Sequence, residues 1–167
     1  MRRFVLALSA AALAIGMIAA PVSARTAPAA NIVDTAIAVN QANGEFSTLI
    51  AAVLAADPAV VKTLTTQRQL TVFAPTDAAF AKLGLNASNI GTLPKAALTQ
   101  ILLYHVAPGS RTAADVVSST QIRTLERGFL KVSLHDGGAY VNNARIVATD
   151  IRTTNGIIHV IDAVLLP

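Results

Sequence analysis

Apolar positions recur every three or four residues through the first part of this chain and every second residue near its end. Phe46, Leu49, Ile50, Val53 and Leu54 fall at i, i+3, i+4, i+7 and i+8, one buried stripe of a helix over 46–56. A preceding helix is expected over 32–42, closed by Asn43-Gly44. Asp57-Pro58 is an N-cap followed by the first helical position, and Val60, Val61 and Leu64 form the inner face of the helix it starts. Residues 69–74 alternate and are rich in β-formers, so they predict a strand ended by Pro75. Thr76 then caps a short helix with Asp77 in its first turn, Phe80 and Leu83 inward and Gly84 as its stop. Pro94 opens the next helix, where Leu98, Ile101, Leu102 and His105 share one stripe. Thr112 with Asp115 resembles a capping box for a helix through Val116 and Val117.

From residue 120 the period becomes two. Leu130, Val132 and Leu134 alternate with Lys131, Ser133 and His135, and Asp136-Gly137-Gly138 is a hairpin turn. Tyr140-Val141 is a short strand before a turn at Asn142-Asn143. Residues 145–151 are another strand, and Asn155-Gly156 is a turn that sets the register of the last one. That last run, 157–161, is apolar on both faces and so belongs in the middle of a sheet. The class is α+β: helices first, an antiparallel sheet last, with the strand at 69–74 tied back into it.

The extreme N-terminus follows another logic. Arg2 and Arg3 precede an uncharged apolar run over 4–20, and Val22-Ser23-Ala24 puts small residues ahead of Arg25. This is the layout of a secretory signal peptide over residues 1–24 with cleavage after Ala24. A membrane span needs about 20 apolar residues, and this run is short and Ala-rich, so no stable membrane anchor is expected after cleavage. Residues 25–30 read as a short flexible linker and 31–167 as a single domain. The expected location is the periplasm or the extracellular medium.

Composition sharpens this picture in two ways. The 167 residues include no Cys, which excludes a disulfide framework, a thiolate nucleophile and an iron–sulfur centre. The net charge of +4 comes from 13 basic and 9 acidic residues. Residues 1–24 carry two of the basic and none of the acidic residues, so the processed chain has a charge of +2. That is too mild for nucleic-acid binding by counterion release. Chemistry-bearing motifs are missing too. The three histidines, His105, His135 and His159, have no metal-ligand spacing, and there is no H-E-x-x-H, G-x-S-x-G or phosphate loop. No catalytic residue, metal or cofactor is assigned, and the chain is read as a non-enzyme.

Three ordered segments resemble one family. TVFAPTDAAFAKL (71–83) is similar to the first signature of the fasciclin domain, NGIIHVIDAVLLP (155–167) to the second, and LLYHVAPG (102–109) to its central Tyr-His segment. The resemblance implies a β-wedge of two sheets with helices packed around it. It also implies an exported, single-domain bacterial module for cell adhesion or matrix contacts, with an extracellular or envelope protein or polysaccharide as partner. The signature positions Thr76, Asp77, Asn155, Gly156, His159 and Asp162 are read as structural. Asp162 could satisfy amides, pair with an Arg or lie exposed.

Tyr104 and His105 carry two readings. On an apolar stripe, a neutral histidine bonded to backbone and a tyrosine with a satisfied hydroxyl are structural. The resemblance links Tyr-His segments to adhesion and receptor contacts, which makes the pair a tentative partner-binding site. Exposed arginines (Arg123, Arg127, Arg145 and Arg152) are candidate interface anchors. The alternative function is a periplasmic binder of a small apolar ligand or lipid, held in a cleft between helices and sheet.

Overall fold

A computed structural model describes residues 30–167. The expected signal segment 1–24 lies outside the described residues, as does the linker except Ala30. Six helices precede or interleave with seven strands among the described residues: α1 (Ile32–Asn43), α2 (Ser47–Ala55), α3 (Pro58–Thr66), β1 (Leu70–Pro75), α4 (Asp77–Ala81), α5 (Lys95–Tyr104), β2 (Val106–Pro108), α6 (Ala113–Ser118), β3 (Gln121–Arg123), β4 (Phe129–His135), β5 (Gly138–Val141), β6 (Ala144–Arg152) and β7 (Gly156–Ile161). A 3₁₀ turn at Ile90–Thr92 lies between α4 and α5.

The caps read from the sequence form locally. The Asp57 carboxylate accepts from the Ala59 amide at 2.8 Å, with Pro58 as the first helical residue. Thr112 and Asp115 complete a reciprocal capping box at α6. Hydrogen bonds from the Thr112 amide and hydroxyl hold the Asp115 carboxyl below the usual carboxylate range. Gly44 closes α1 in the left-handed region (φ 74°), where a side chain would be strained.

The strands run in the order β2-β1-β7-β6-β5-β4-β3. Two features differ from expectation. First, β1 and β7 pair in parallel, Leu70 opposite Gly156 through Pro75 opposite Ile161, while the other neighbours are antiparallel. Parallel pairing needs a long crossover, and here most of the domain supplies it. Second, the expected pair of sheets is joined as one hydrogen-bonded run of seven strands. Within it β6 carries two register shifts against β7, between Ile146 and Ala148 and between Ala148 and Ile151. Such bulges bend a strand locally.

All six residues of β1 and all six of β7 are buried, as befits strands covered on both faces. Leu70, Val72, Ala74, Ile158 and Val160 join the core beneath the helices, with Phe46, Leu49, Val53, Val60, Leu64, Leu98 and Leu102. Phe73 and Ile161 face the other way, into a second core with Tyr104, Ala107, Val116, Ile122, Leu130, Val141 and Leu165.

Several apolar residues expected inside lie outside. Leu54 is 74% exposed, because the buried face of α2 runs through Thr48, Leu49, Ala52 and Val53 and leaves Leu54 beyond its edge. Leu83 is exposed because α4 stops at Ala81. Leu134 is exposed at the hairpin tip, where β4 has run past the core.

Candidate functional site

Tyr104 and His105 sit between the two cores. Tyr104 ends α5 and His105 caps it, and the chain passes at once into β2. The two side chains therefore leave the backbone on opposite sides of the sheet.

His105 turns towards the helices and is 3% exposed. Its Nδ1 lies 2.7 Å from the Ile101 carbonyl, and its Nε2 lies 2.9 Å from the Leu165 amide. A carbonyl can only accept and an amide only donate, so Nδ1 carries the proton and Nε2 accepts. Burial pulls the imidazole down to about 4, with the Ile101 bond opposing that shift. The ring is neutral and both nitrogens are committed to backbone.

Tyr104 turns towards the second core and is 7% exposed. Its hydroxyl donates to the Phe129 carbonyl (3.1 Å) and accepts from Asn142 Nδ2 (3.3 Å). Gly128 is required beside it, since a Cβ there would collide with the Tyr104 ring. Above the hydroxyl lies an open hollow lined by Thr120, Gln121, Phe129, Lys131, Ser133 and Asn142. Phe129 is 56% exposed and pairs across strands with exposed Arg123. Phe129 carries no helical or signature pattern, and only its exposure in the fold singles it out. Arg127, Arg145 and Arg152 are also exposed, on other loops and strands.

The signature residues serve backbone groups. Thr76 accepts from the Ala79 amide. Asp77 sits in the first turn of α4, but its carboxylate accepts from the Thr48 amide of α2 at 2.8 Å, so it caps a helix distant in sequence. Asn155 is buried and ties two helix ends: its Oδ1 accepts from the Ile32 amide at the start of α1, and its Nδ2 donates to the Leu64 and Gln67 carbonyls at the end of α3. Neither Asn155 nor Gly156 has positive φ, so this is not the two-residue hairpin turn that Asn-Gly predicts. Gly156 is there because a Cβ would run into the Leu70 carbonyl of the parallel neighbour. Asp136-Gly137 does form such a turn, with φ of 51° and 69°.

His159 is fully buried and stacks on Phe73 with ring centroids 5.7 Å apart. Its Nε2 donates to the Arg111 carbonyl (2.9 Å), and its Nδ1 faces the Asp150 amide at 3.4 Å. This is the tautomer opposite to that of His105. Burial lowers its pKa, opposed by the Arg111 bond and the Asp150 charge. Asp162 accepts from the Arg145 amide at 2.8 Å, and its backbone carbonyl accepts from Lys82 Nζ at 2.7 Å. His135 is exposed and stacks on Tyr140. Among the described residues, no three His, Asp or Glu side chains gather to hold a metal.

The two signatures thus lie on the paired strands β1 and β7, and the Tyr-His segment leads from α5 into the adjacent β2. The fasciclin domain pattern matches residues 44–167. The chain belongs to the fasciclin domain family. Protein sll1483 of Synechocystis sp. is 44% identical over 135 residues, covering 80% of this chain and 73% of that protein. The immunogenic protein MPB70 of Mycobacterium bovis is 38% identical over 128 residues, covering 75% of this chain and 65% of that one. Pig transforming growth factor-beta-induced protein ig-h3 is 33% identical, and the match covers 80% of this chain but only 19% of that protein. The solved FAS1 domain pair of the insect cell adhesion molecule fasciclin I superposes with a TM-score of 0.67 at 22% identity, covering 84% of this chain and 52% of that one. That structural likeness establishes the α+β fasciclin fold.

Proposed function

We propose that this chain is an exported fasciclin-domain module that makes adhesive or matrix contacts with an extracellular or envelope protein or polysaccharide. The observation that carries this reading is the outer face of β3 and β4. There Phe129 stands exposed beside Arg123, at the rim of the hollow over the Tyr104 hydroxyl. Aromatic and arginine side chains are the residues that most often anchor interfaces. Family membership and the insect relative, a cell adhesion molecule, support the same class of role. Tyr104 and His105 then act as supports: Tyr104 holds the β4 backbone at Phe129, and His105 ties α5 to the C-terminal segment. No reaction is proposed, because the ring nitrogens of both buried histidines are already turned to backbone groups.

The test is capture of envelope and extracellular material on immobilised protein, beside Phe129→Ala, Arg123→Ala and an unrelated protein of equal charge. Binding above the control that falls by about tenfold in Phe129→Ala, the loss of a ~1.4 kcal/mol anchor, is the expected result. Equal capture by the control and the wild type overturns it. N-terminal sequencing of the exported protein is expected to begin at Arg25.

A further inference from the structure

The helical core contains a void. It lies between α1, α2, α3 and the helix-facing side of β1, with Leu49, Val53, Leu64, Leu102 and Val72 in its walls, and measures about 100 Å³. Leu54 and Ile37, two of the exposed large apolar residues, stand at its border. His105 closes one side, and its nitrogens are bonded to Ile101 and Leu165 rather than turned to the void. Among the described residues no polar atom is exposed on the wall.

These features define what can enter. Dry apolar cavities of about 150 Å³ take up a benzene-sized hydrocarbon, so this one is on the scale of a slender chain end. A helix is about 10 Å across and cannot fit. An extended peptide would bring amides and carbonyls to a wall that offers no partner, at a cost of roughly 1–3 kcal/mol for each buried group. Water needs two to four polar partners and finds none here. We propose that this cavity binds the end of an unbranched alkyl or acyl chain, with the polar head left outside between Ile37 and Leu54. The ligand is recognised by its tail, and the charge of the head is immaterial. This site is separate from the Phe129 face, on the opposite side of the central strands.

The probes are hexanol, octanol and decanol, then octanoate and octylamine, titrated into the protein and followed by methyl chemical shifts and by melting temperature. Affinity is expected to rise about fourfold for each methylene, then level off once the cavity is full. Octanol, octanoate and octylamine should bind alike. Ala36 lines the void on α1 and is half-buried. Ala36→Leu puts a strong helix former into the same space, and should weaken octanol on the order of tenfold without lowering the melting temperature. Ala38→Leu, on the exposed face of α1, should bind as wild type does. Binding that does not saturate, that Ala36→Leu leaves unchanged, or that follows head charge instead of tail length overturns the proposal.

Discussion

The two cores on either face of β1 and β7 are packed to different standards. In the second core Phe73, Ala107, Val116, Ile122, Leu130, Val141, Ala144, Ile161 and Leu165 are all fully buried. In the helical core the side chains are as apolar, yet a void remains and Leu54 hangs outside it. Composition at the contacts explains the difference. Alpha-2 is largely Ala, Val and Leu on a nine-residue helix, and α1 offers Ala36 to the void where a larger residue would fill it. Small side chains on short helices cannot interdigitate to full density over a twisted sheet. The second core is closed by Ile122, Leu130, Val141 and Ala144 of four successive strands, with Val116 of α6 and Tyr104 of α5 filling the remainder. This chain therefore has a fully buried core at its β end and a helical end with room in it.

The seam between the cores is where the comparison is most severely tested. Gly156→Ala is expected to cost more than about 4 kcal/mol, because the new methyl meets backbone rather than a movable side chain. Both cores share β7, so far-UV circular dichroism and tyrosine fluorescence should report one transition. Two separate transitions would show that the cores fold independently.

Gly156 also shows which parts of the fold were legible beforehand. Asn155-Gly156 was readable as a turn, but the motif's usual reason, positive φ at both residues, is absent. The actual reasons are contacts with Leu70, Ile32, Leu64 and Gln67, all remote in sequence. The same holds for Asp77, whose local role at α4 was visible and whose bond to Thr48 was not. Helix starts at Asp57, Thr76 and Thr112 were legible because a cap is completed within three residues. Beta-2 and β3 are three residues each and exist through their neighbours, so no periodicity marked them. The hydrophobic stripe that included Leu54 was correct in period but not in phase, because the face that meets the core takes in Thr48 and Ala52 instead of Leu54.

A matched pair of truncations compares the two packings directly. Leu130→Ala removes a side chain in contact on every side, and is expected to cost about 4 kcal/mol. Leu49→Ala removes one that already borders the void and has fewer partner atoms to lose, so about 2.5 kcal/mol is expected. Urea denaturation measures both. Equal costs would mean that the void is closed in solution and that the contrast does not hold.

Each core also buries one histidine, which gives the comparison a pH axis. His105 has a folded pKa of about 4 against an ordinary 6.5, so the unfolded chain binds a proton that the folded chain refuses. Its contribution is complete above pH 6.5, declines as pH falls and is gone below about pH 4. The loss is on the order of 3 kcal/mol. His159 is shifted the same way and adds to the decline. Asp115 also loses its contribution on acidification, but below the usual carboxylate pKa. His105→Gln can donate to Ile101 and accept from Leu165 while staying neutral, so its stability should fall less between pH 6.5 and 4. His105→Ala leaves the Leu165 amide unpaired and takes from the Ile101 carbonyl one of its two donors, the backbone amide of residue 105 remaining, and should cost about 2 kcal/mol at pH 7. Denaturation midpoints across pH decide this: a slope unchanged in His105→Gln would place the titration elsewhere.

The smallest expected effect lies where the β core meets the surface. Tyr104→Phe keeps the ring that Gly128 accommodates and removes only the hydroxyl shared by Phe129 and Asn142. Those partners border an open hollow, so water can replace the lost bond, and a cost of about 1 kcal/mol is expected. The consequence for Phe129 should be larger than the stability figure suggests. Its carbonyl is the anchor that fixes the start of β4, and freeing it lets the exposed ring move. Amide exchange at Phe129 and Leu130 should quicken in Tyr104→Phe while exchange in α2 stays as it was. Acceleration in both places would mean that the hydroxyl supports the whole domain rather than this one edge.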